Sequence, residues 1–334
     1  MKTKKITGGK ITLFLACAAF AVGIPAICNP YQMTVVNSAL IYFVAALGIS
    51  IMLGMCGQMS FAAISFMGMG AYCATQLSKT LGMPTLMALV LSAVFTALMS
   101  LWIGALLFRL SGGYFTFATI GLVYICSSLF LNLKPLTGGA NGIVGIPDLN
   151  LFGYNLDSLY KWFFFLFAVC ILCGLFVERI RRTSLGRSMA SVRDNELAAK
   201  SLGVNCYQVK IISFVIAGTL AGLAGGLIAF HNGTVSTALF SFQIATNFVI
   251  MVMLGGVNST VGTFLGTFLV TLMPEVLSPL ADYLRLIQGV LIILMMIFMP
   301  TGLAGIGQML LSKAQKRLAN KFSKKKTASQ EVGQ

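Results

Sequence analysis

The chain has 334 residues, of which 57% are apolar and only 9% are charged, and its formal net charge is +15. Soluble domains carry about 25% charged residues, so a soluble fold would have too little charge to cover its surface. The basic residues are concentrated at the two ends and in one central segment, as the positive-inside rule predicts for a membrane protein. We therefore expect an all-α, polytopic transmembrane bundle that contacts anionic lipid head groups, and no nucleic-acid partner.

The first 27 residues have the outline of a secretory signal peptide. Residues 1–10 include four lysines, and an apolar run follows at 11–27. Pro25 and the pair Asn29-Pro30 close this run without a clear small-residue cleavage site. We therefore predict a basic cytoplasmic N-terminus, residues 1–10, followed by a first membrane span that is retained.

Two apolar blocks, residues 33–77 and 242–273, are too long for one crossing each. Each contains glycine and polar residues near its middle, which predicts a break between two helices. The first block should form one full span and a short glycine-rich helix. Broken helices at membrane depth are buried in protein or line a wet cavity, where freed backbone groups can bind a zwitterion. The polar residues at the two breaks are therefore the candidates for a translocation pathway: Gln58, Ser60, Asn258, Ser259 and Thr260.

Many glycines of the apolar segments have a simpler interpretation. Small residues let helix backbones approach each other closely within a membrane. We assign to this packing role Gly68, Gly70, Gly222, Gly225, Gly226, Gly262 and Gly266.

Five further segments have the length of one crossing each. They are residues 84–108, 114–133, 162–177, 209–230 and 284–299. The polar segment 134–160 should lie outside the cell. Because the N-terminus, the central loop and the basic tail 309–334 should all be cytoplasmic, an even number of crossings must precede the loop and an even number must follow it. Six and four crossings satisfy this condition, which gives about ten spans in all, or about eight if the glycine-rich segments are re-entrant.

The central loop, residues 179–208, is the longest charged interruption between apolar segments. Residues 178–210 hold ten of the 31 charged side chains (23 basic and 8 acidic), and seven of the ten are Lys or Arg. Leu185, Met189 and Val192 recur at helical spacing, which predicts a short amphipathic helix. The charged residues Arg187, Arg193 and Asp194 should lie on its other faces.

A second short helix should follow in the same loop. Asp194 or Asn195 can cap its N-terminus, and Glu196 then lies in its positive first turn. Gly203 can end this helix in a left-handed conformation. A capped helix can carry a movement into the membrane, whereas a flexible loop would absorb it. The alternative is a solvated loop whose basic residues only fix the topology.

The loop and several other motifs resemble those of one transporter family. Ala198-Ala199, three residues and then Gly203 match the A-A-x-x-x-G core of the cytoplasmic loop of ABC importer permeases. The remaining motifs are similar to the LivM-type permeases of branched-chain amino acid importers, over about residues 35–305. They include GQMS at 57–60, FMGMGAY at 66–72, GYF at 113–115, LTGG at 136–139, LGG at 254–256 and PTGL at 300–303. The chain departs from the general loop pattern at Leu197, where Glu is usual.

The resemblance implies a permease subunit of an ATP-driven importer in the plasma membrane, which translocates branched-chain or related amino acids. Residues 11–308 would form its single transmembrane domain. Its implied partners are a second homologous permease, two cytoplasmic ATPase subunits and an external substrate-binding protein. The central loop would then contact an ATPase subunit, and its candidate residues are Arg187, Glu196, Ala198, Ala199 and Gly203.

No group of residues in the sequence looks like a catalytic or metal site, and the single histidine, His231, is expected to have an interfacial role. The sequence lacks the G-x-x-x-x-G-K-[ST] phosphate-binding motif, so ATP would be bound by partner subunits and the chain itself would need no cofactor. An ion-coupled secondary transporter of small polar solutes is one alternative, although buried carboxylates are scarce. A permease for urea or amides is another. A channel or a scaffold is disfavoured because neither needs a structured loop.

Overall fold

A computed structural model describes residues 29–110, 113–151 and 154–276 and the single positions 23, 25, 286, 289 and 290. The spans predicted at 11–27 and 284–299 lie outside the described ranges, as do the two basic terminal segments. The total number of crossings and the side on which the termini lie therefore stay predictions.

The described chain is mainly helical. In chain order the helices are α1 (Pro30–Ile49), α2 (Ala63–Lys79), α3 (Thr85–Leu107), α4 (Gly113–Asn132), α5 (Lys134–Thr137), α6 (Leu159–Arg182), α7 (Ser184–Asp194), α8 (Glu196–Ser201), α9 (Cys206–Asn232), α10 (Phe242–Gly255) and α11 (Thr260–Val276). Helix α1 continues as a π-helical turn, Ser50–Met55, and two 3₁₀ turns lie at Gly139–Asn141 and Thr237–Phe240. Four strands of two residues each complete the described secondary structure: β1 (Ile143–Val144), β2 (Asn150–Leu151), β3 (Tyr154–Asn155) and β4 (Thr234–Val235).

The predicted helical segments are confirmed wherever the structure describes them. Helices α3, α4, α6 and α9 cover the four predicted single spans between residues 84 and 230, and α6 runs five residues further than expected, to Arg182 (182 − 177). Both long apolar blocks are divided as predicted. The first break, residues 56–62, separates the π-helical turn from α2, and the second break, residues 256–259, separates α10 from α11.

Helices α1 and α9 form the centre of the bundle. In the most apolar 18-residue stretch of each helix, 83% of the residues are buried for α1 and 67% for α9. The corresponding shares are 33% for α3, 28% for α4 and 28% for α6. The three outer helices expose large apolar side chains such as Trp102, Phe117 and Leu172. Exposed apolar surface of this extent is unfavourable in water and is satisfied by lipid. The five helices are long and apolar enough to cross a membrane.

Glycine contacts hold α2 against α9 and α11 against α10, as the sequence indicated. A Cβ atom on Gly70 would overlap the backbone of Gly222 in α9, and one on Gly225 would overlap the carbonyl of Met67 in α2. Gly266 faces the α10 backbone in the same way. These positions exclude any side chain because two backbones meet there.

The bundle has two distinct ends. We call the end formed by α7 and α8 the loop end, and the opposite end, formed by the four strands, the hairpin end. Strand β1 pairs with β4 and β2 pairs with β3, both antiparallel. Helix α6 leads from the hairpin end to the loop end and the 27 residues of α9 lead back, so the ends are about 40 Å apart at 1.5 Å per residue.

The later part of the first break, residues 60–62, places irregular backbone inside the bundle. At the first break Phe61 and Ala62 are buried, and the Phe61 amide donates to the Thr119 hydroxyl of α4 at 3.3 Å. Helix α10 starts beside the middle of α4, where Phe242 stacks on Tyr124. Phe61 and Phe242 also contact each other, with ring centroids 5.6 Å apart. The first break therefore packs against the start of α10.

Candidate functional site

Helix α7 is amphipathic, as its spacing predicted. Met189 and Val192 are buried, Leu185 packs partly buried against the core, and Arg187 is exposed. The Thr183 hydroxyl caps the helix by accepting from the Gly186 amide at 3.4 Å. The apolar face of α7 therefore packs against the bundle.

Helix α8 is capped at both ends. Of the two predicted N-cap residues, Asn195 takes the position, and its side chain accepts from the Ala198 amide at 3.1 Å. Gly203 follows the helix with a φ of +83°. Its amide donates to the Lys200 carbonyl and the Val204 amide donates to the Ala199 carbonyl, both at 3.0 Å. These paired bonds form a Schellman motif, which stops the helix and turns the chain back toward α9.

The two alanines of the A-A-x-x-x-G motif face opposite environments. Ala199 is 2% exposed and packs on the chain itself, whereas Ala198 is exposed. Leu197 and Leu202 lie beside Ala198 with 76% and 83% of their surfaces exposed. The small side chain of Ala199 therefore lets α8 pack closely against the bundle. The outer surface is formed by Leu197, Ala198 and Leu202, and we call it the α8 face.

Charge also ties α8 to the bundle. Glu196 lies 2.7 Å from the Lys210 ammonium of α9 and 3.4 Å from that of Lys200. The hydrogen bond from Lys210 is the main cause that lowers the pKa of the Glu196 carboxyl, and its attraction to both lysines adds to the effect. Glu196 thus holds a negative charge in the first turn of α8, where the helix dipole favours it.

Arg193 makes the contacts that the sequence did not indicate. Its Nη1 donates to the Gly54 carbonyl at 2.8 Å and to the Asn258 side-chain oxygen at 3.1 Å. Its Nε and Nη2 both donate to Asp194 Oδ1, at 3.0 and 2.9 Å. The helical spacing of the loop predicts only that Arg193 lies on a face away from the apolar stripe, because one sequence does not report which distant backbone a long side chain reaches.

The predicted pathway residues occupy different surroundings. Ser60 is buried near Ala217 and Gly218 of α9, and its hydroxyl accepts from the Ala62 amide at 3.3 Å. Asn258 lies at the loop end, in contact with Arg193. Their role in a pathway stays a prediction.

The other three pathway candidates flank these two. Gln58 is half-buried next to Gly57, which lies against Arg193. The Ser259 hydroxyl accepts from the Gly262 amide at 3.1 Å and thereby caps α11. Thr260 Oγ1 is buried and has no hydrogen-bond partner among the described residues.

No cluster suited to a metal ion is found in the part of the chain that the structure describes. His231 lies in the last turn of α9, at the hairpin end. Its ring packs edge-to-face on Trp162, with ring centroids 5.3 Å apart. Its Nδ1 is 3.1 Å from the Asn232 side chain. His231 therefore packs against a neighbouring ring, and its interfacial role stays a prediction.

Comparisons with known proteins agree with the resemblance. The family described as "Branched-chain amino acid transport system / permease component" matches residues 31–300. The chain is 31% identical over 318 residues to the high-affinity branched-chain amino acid transport system permease protein LivM of Salmonella typhimurium, covering 88% of this chain and 75% of that relative. The Escherichia coli LivM protein is 30% identical with the same coverage.

A more distant relative has a different named solute. The autoinducer 2 import system permease protein LsrC of Klebsiella pneumoniae is 30% identical over 172 residues, which are 48% of this chain and 46% of that protein. No solved structure matches this chain. Because the family match spans the whole described helical bundle, from α1 to α11, the chain belongs to the family of branched-chain amino acid transport system permease components.

Proposed function

We propose that the chain is one membrane-spanning subunit of an ATP-driven importer, and that it translocates branched-chain or related amino acids delivered by an external binding protein. The second permease of the complex would be a homologous chain. Two ATPase subunits would bind and hydrolyse ATP on the cytoplasmic side. This chain itself would carry no nucleotide.

The observation that carries the proposal is the α8 face. Leu197 and Leu202 are exposed on a helix whose N-terminus, C-terminus and inner side are all held. Exposed leucines at a loop this rich in charge have no lipid to cover them, so a protein partner is the better explanation. A rigid helix of this kind can transmit the motion of an ATPase subunit to α7 and α9, which flank it.

Charge supports a cytoplasmic position for the loop end. The last turn of α6 carries Arg179, Arg181 and Arg182, and Glu178 pairs with the last two at 3.1 and 2.9 Å. Seven basic and three acidic residues lie between positions 178 and 210. By the positive-inside rule, this charge favours a cytoplasmic position for α7 and α8 and an external position for the hairpin end.

The two LivM relatives are named as branched-chain amino acid transport permeases, which supports an amino acid as the solute. LsrC is named for autoinducer 2, so a relative of this chain is named for a different solute. A permease for urea or amides is the alternative that we keep. An ion-coupled carrier is less favoured because none of the charged contacts of the described residues lies in the middle of the bundle.

The test is transport by the complete complex in liposomes. We expect uptake of radiolabelled leucine that requires ATP on the ATPase side and the binding protein on the other side. Uptake that persists without ATP and collapses when an ion gradient is dissipated would contradict the proposal. ATP-driven uptake of urea or acetamide with no uptake of leucine, isoleucine or valine would support an ATP-driven importer but would show that its substrate is not a branched-chain amino acid.

The α8 face has its own test within the same complex. The double variant Leu197→Ser with Leu202→Ser should reduce co-purification of the ATPase subunits while the chain inserts and remains monodisperse. Ser201→Ala in the same helix is the matched control. Normal ATPase recovery with both leucines replaced would show that the α8 face is not the contact.

A further inference from the structure

One guanidinium group joins the loop to the end of α1 and to the second helix break. Arg193 Nη1 reaches Gly54 in the π-helical turn that ends α1, and it also reaches Asn258 in the second break. The Arg193 side chain is 32% exposed, so it is partly withdrawn from water. The three elements that it connects, α7, the end of α1 and residues 256–259, are far apart in the sequence.

The end of α1 requires such a partner. Carbonyl groups in the last turn of a helix have no helical N–H donor, and the negative end of the helix dipole favours a cation there. The Cys56 amide donates to the Ile51 carbonyl and the Gln58 amide to the Met52 carbonyl. Arg193 supplies a charged donor to the Gly54 carbonyl, and a donor of this kind is stronger than a neutral one.

The second break is held against the same turn. The Ser50 hydroxyl donates to the Val257 carbonyl at 3.0 Å. A Cβ atom on Gly54 would overlap that same carbonyl, so the two backbones are in direct contact. Asn258, the next residue, accepts the hydrogen bond from Arg193. The contact between the end of α1 and the second break therefore has one fixed backbone part and one part that depends on α7.

The first break leaves room for the arginine. Gly57 has a φ of +70°, and a Cβ atom there would lie 2.6 Å from Arg193 Cγ and 3.2 Å from its Cα. A side chain at this position would displace Arg193 from its place. Asp194 fixes the other edge of the guanidinium through two bonds. Arg193 is thus constrained on each side.

We infer that Arg193 is a positioning residue that couples the movement of α7 and α8 to the two helix breaks at the cytoplasmic end of the translocation pathway. A shift of α7 away from the bundle must break the bonds to Gly54 and Asn258 together. The end of α1 and the second break are then held only by their direct contact at Val257. This inference rests on the proposed function, because it needs an ATPase to move α8.

The experiment measures the leucine transported per ATP hydrolysed by the complete complex in liposomes. The Arg193→Gln complex should still recruit the ATPases and hydrolyse ATP, but its transport per ATP should fall about tenfold, the size expected for losing a hydrogen bond to a charged group. Arg193→Lys keeps the charge and loses the planar fork, so it should recover part of the ratio. Arg109→Gln, which removes an exposed guanidinium at the same end of the bundle, is the matched control.

Asn258 tests the geometry of the contact. Asn258→Ala should lower the same ratio. The double variant Asn258→Ala with Arg193→Gln should transport no less leucine per ATP than Arg193→Gln alone, because both substitutions remove the same hydrogen bond. A cysteine placed at Gln58 should react faster with a maleimide in the Arg193→Gln complex than in the Arg109→Gln complex. This accessibility would not change if Arg193 only stabilised the fold.

Several outcomes would overturn the inference. They are a wild-type transport ratio in the Arg193→Gln complex, additive effects in the double variant, and unchanged labelling at position 58. An unmodified complex that shows no ATP-driven uptake would instead overturn the proposed function. The two failures are distinguishable because every variant is compared with that complex.

Discussion

Glu196 in the first turn of α8 lies 2.7 Å from Lys210 in the first part of α9. This ion pair links the short outer helix to one of the two central helices of the bundle. Lys210 is 14% exposed, whereas Glu196 is 38% exposed, so the pair sits at the boundary between protein and water. The pair and the Asn195 cap hold the α8 N-terminus, and the Gly203 turn holds its other end.

The Glu196 pair predicts a loss of α8 anchoring in acid. Its pKa is lowered in the folded chain, so the stabilisation is fully present above the ordinary carboxyl pKa, about 4.3, and is lost as the pH falls through the lower folded pKa. A spin label on Ser201→Cys should become more mobile over that acidic range. Glu196→Gln should be mobile already at neutral pH and should show less dependence on pH. An identical pH profile in both proteins would contradict this role.

The Gly203 turn predicts a difference between two substitutions. Nothing lies within 4 Å of a Cβ built at this position, so the constraint is the φ of +83° alone. Gly203→Val should cost about 1–2 kcal/mol and weaken ATPase recovery, because a β-branched residue disfavours this conformation. Gly203→Asn should be much milder, since Asn tolerates it.

Co-purification of the ATPase subunits measures both Gly203 variants. Arg187→Gln should have a smaller effect than Gly203→Val, because exposed charges add little affinity at physiological salt. Equal recovery for the valine and asparagine variants would show that the left-handed turn is not needed.

The two alanines of the loop predict opposite kinds of damage. Ala199 is buried, so Ala199→Trp should destabilise the chain by about 1–3 kcal/mol through overpacking and should lower its melting temperature in detergent. Ala198 is exposed, so Ala198→Trp should leave the melting temperature unchanged and reduce ATPase binding. Full ATPase binding by Ala198→Trp would remove Ala198 from the α8 face.

The glycine contacts predict which small residues of the bundle can be enlarged. Gly70→Ala should destabilise the chain, because the added methyl group meets the Gly222 backbone and the core cannot give way without shifting a helix. Gly121→Ala in α4 is the control, since nothing lies within 4 Å of that position; it should be neutral or slightly stabilising. Thermal unfolding in detergent would measure both. Equal melting temperatures would mean that α2 and α9 separate easily.

The sequence by itself determined the membrane-spanning helices, the two breaks and the capped helices of the loop. These features follow from local chemistry: apolar length, glycine and polar interruptions, and the capping preferences of Asn195 and Gly203. The family resemblance was equally visible, because it depends on ordered motifs and not on contacts.

Only the tertiary structure decided which residues meet. Ala198 and Ala199 are adjacent residues of the same type, yet packing buries Ala199 and leaves Ala198 exposed. Arg193 contacts residues 139 and 65 positions away, and no periodicity in a single sequence encodes such a distance. A long side chain finds its partners through the arrangement of helices around it, which is a property of the whole fold.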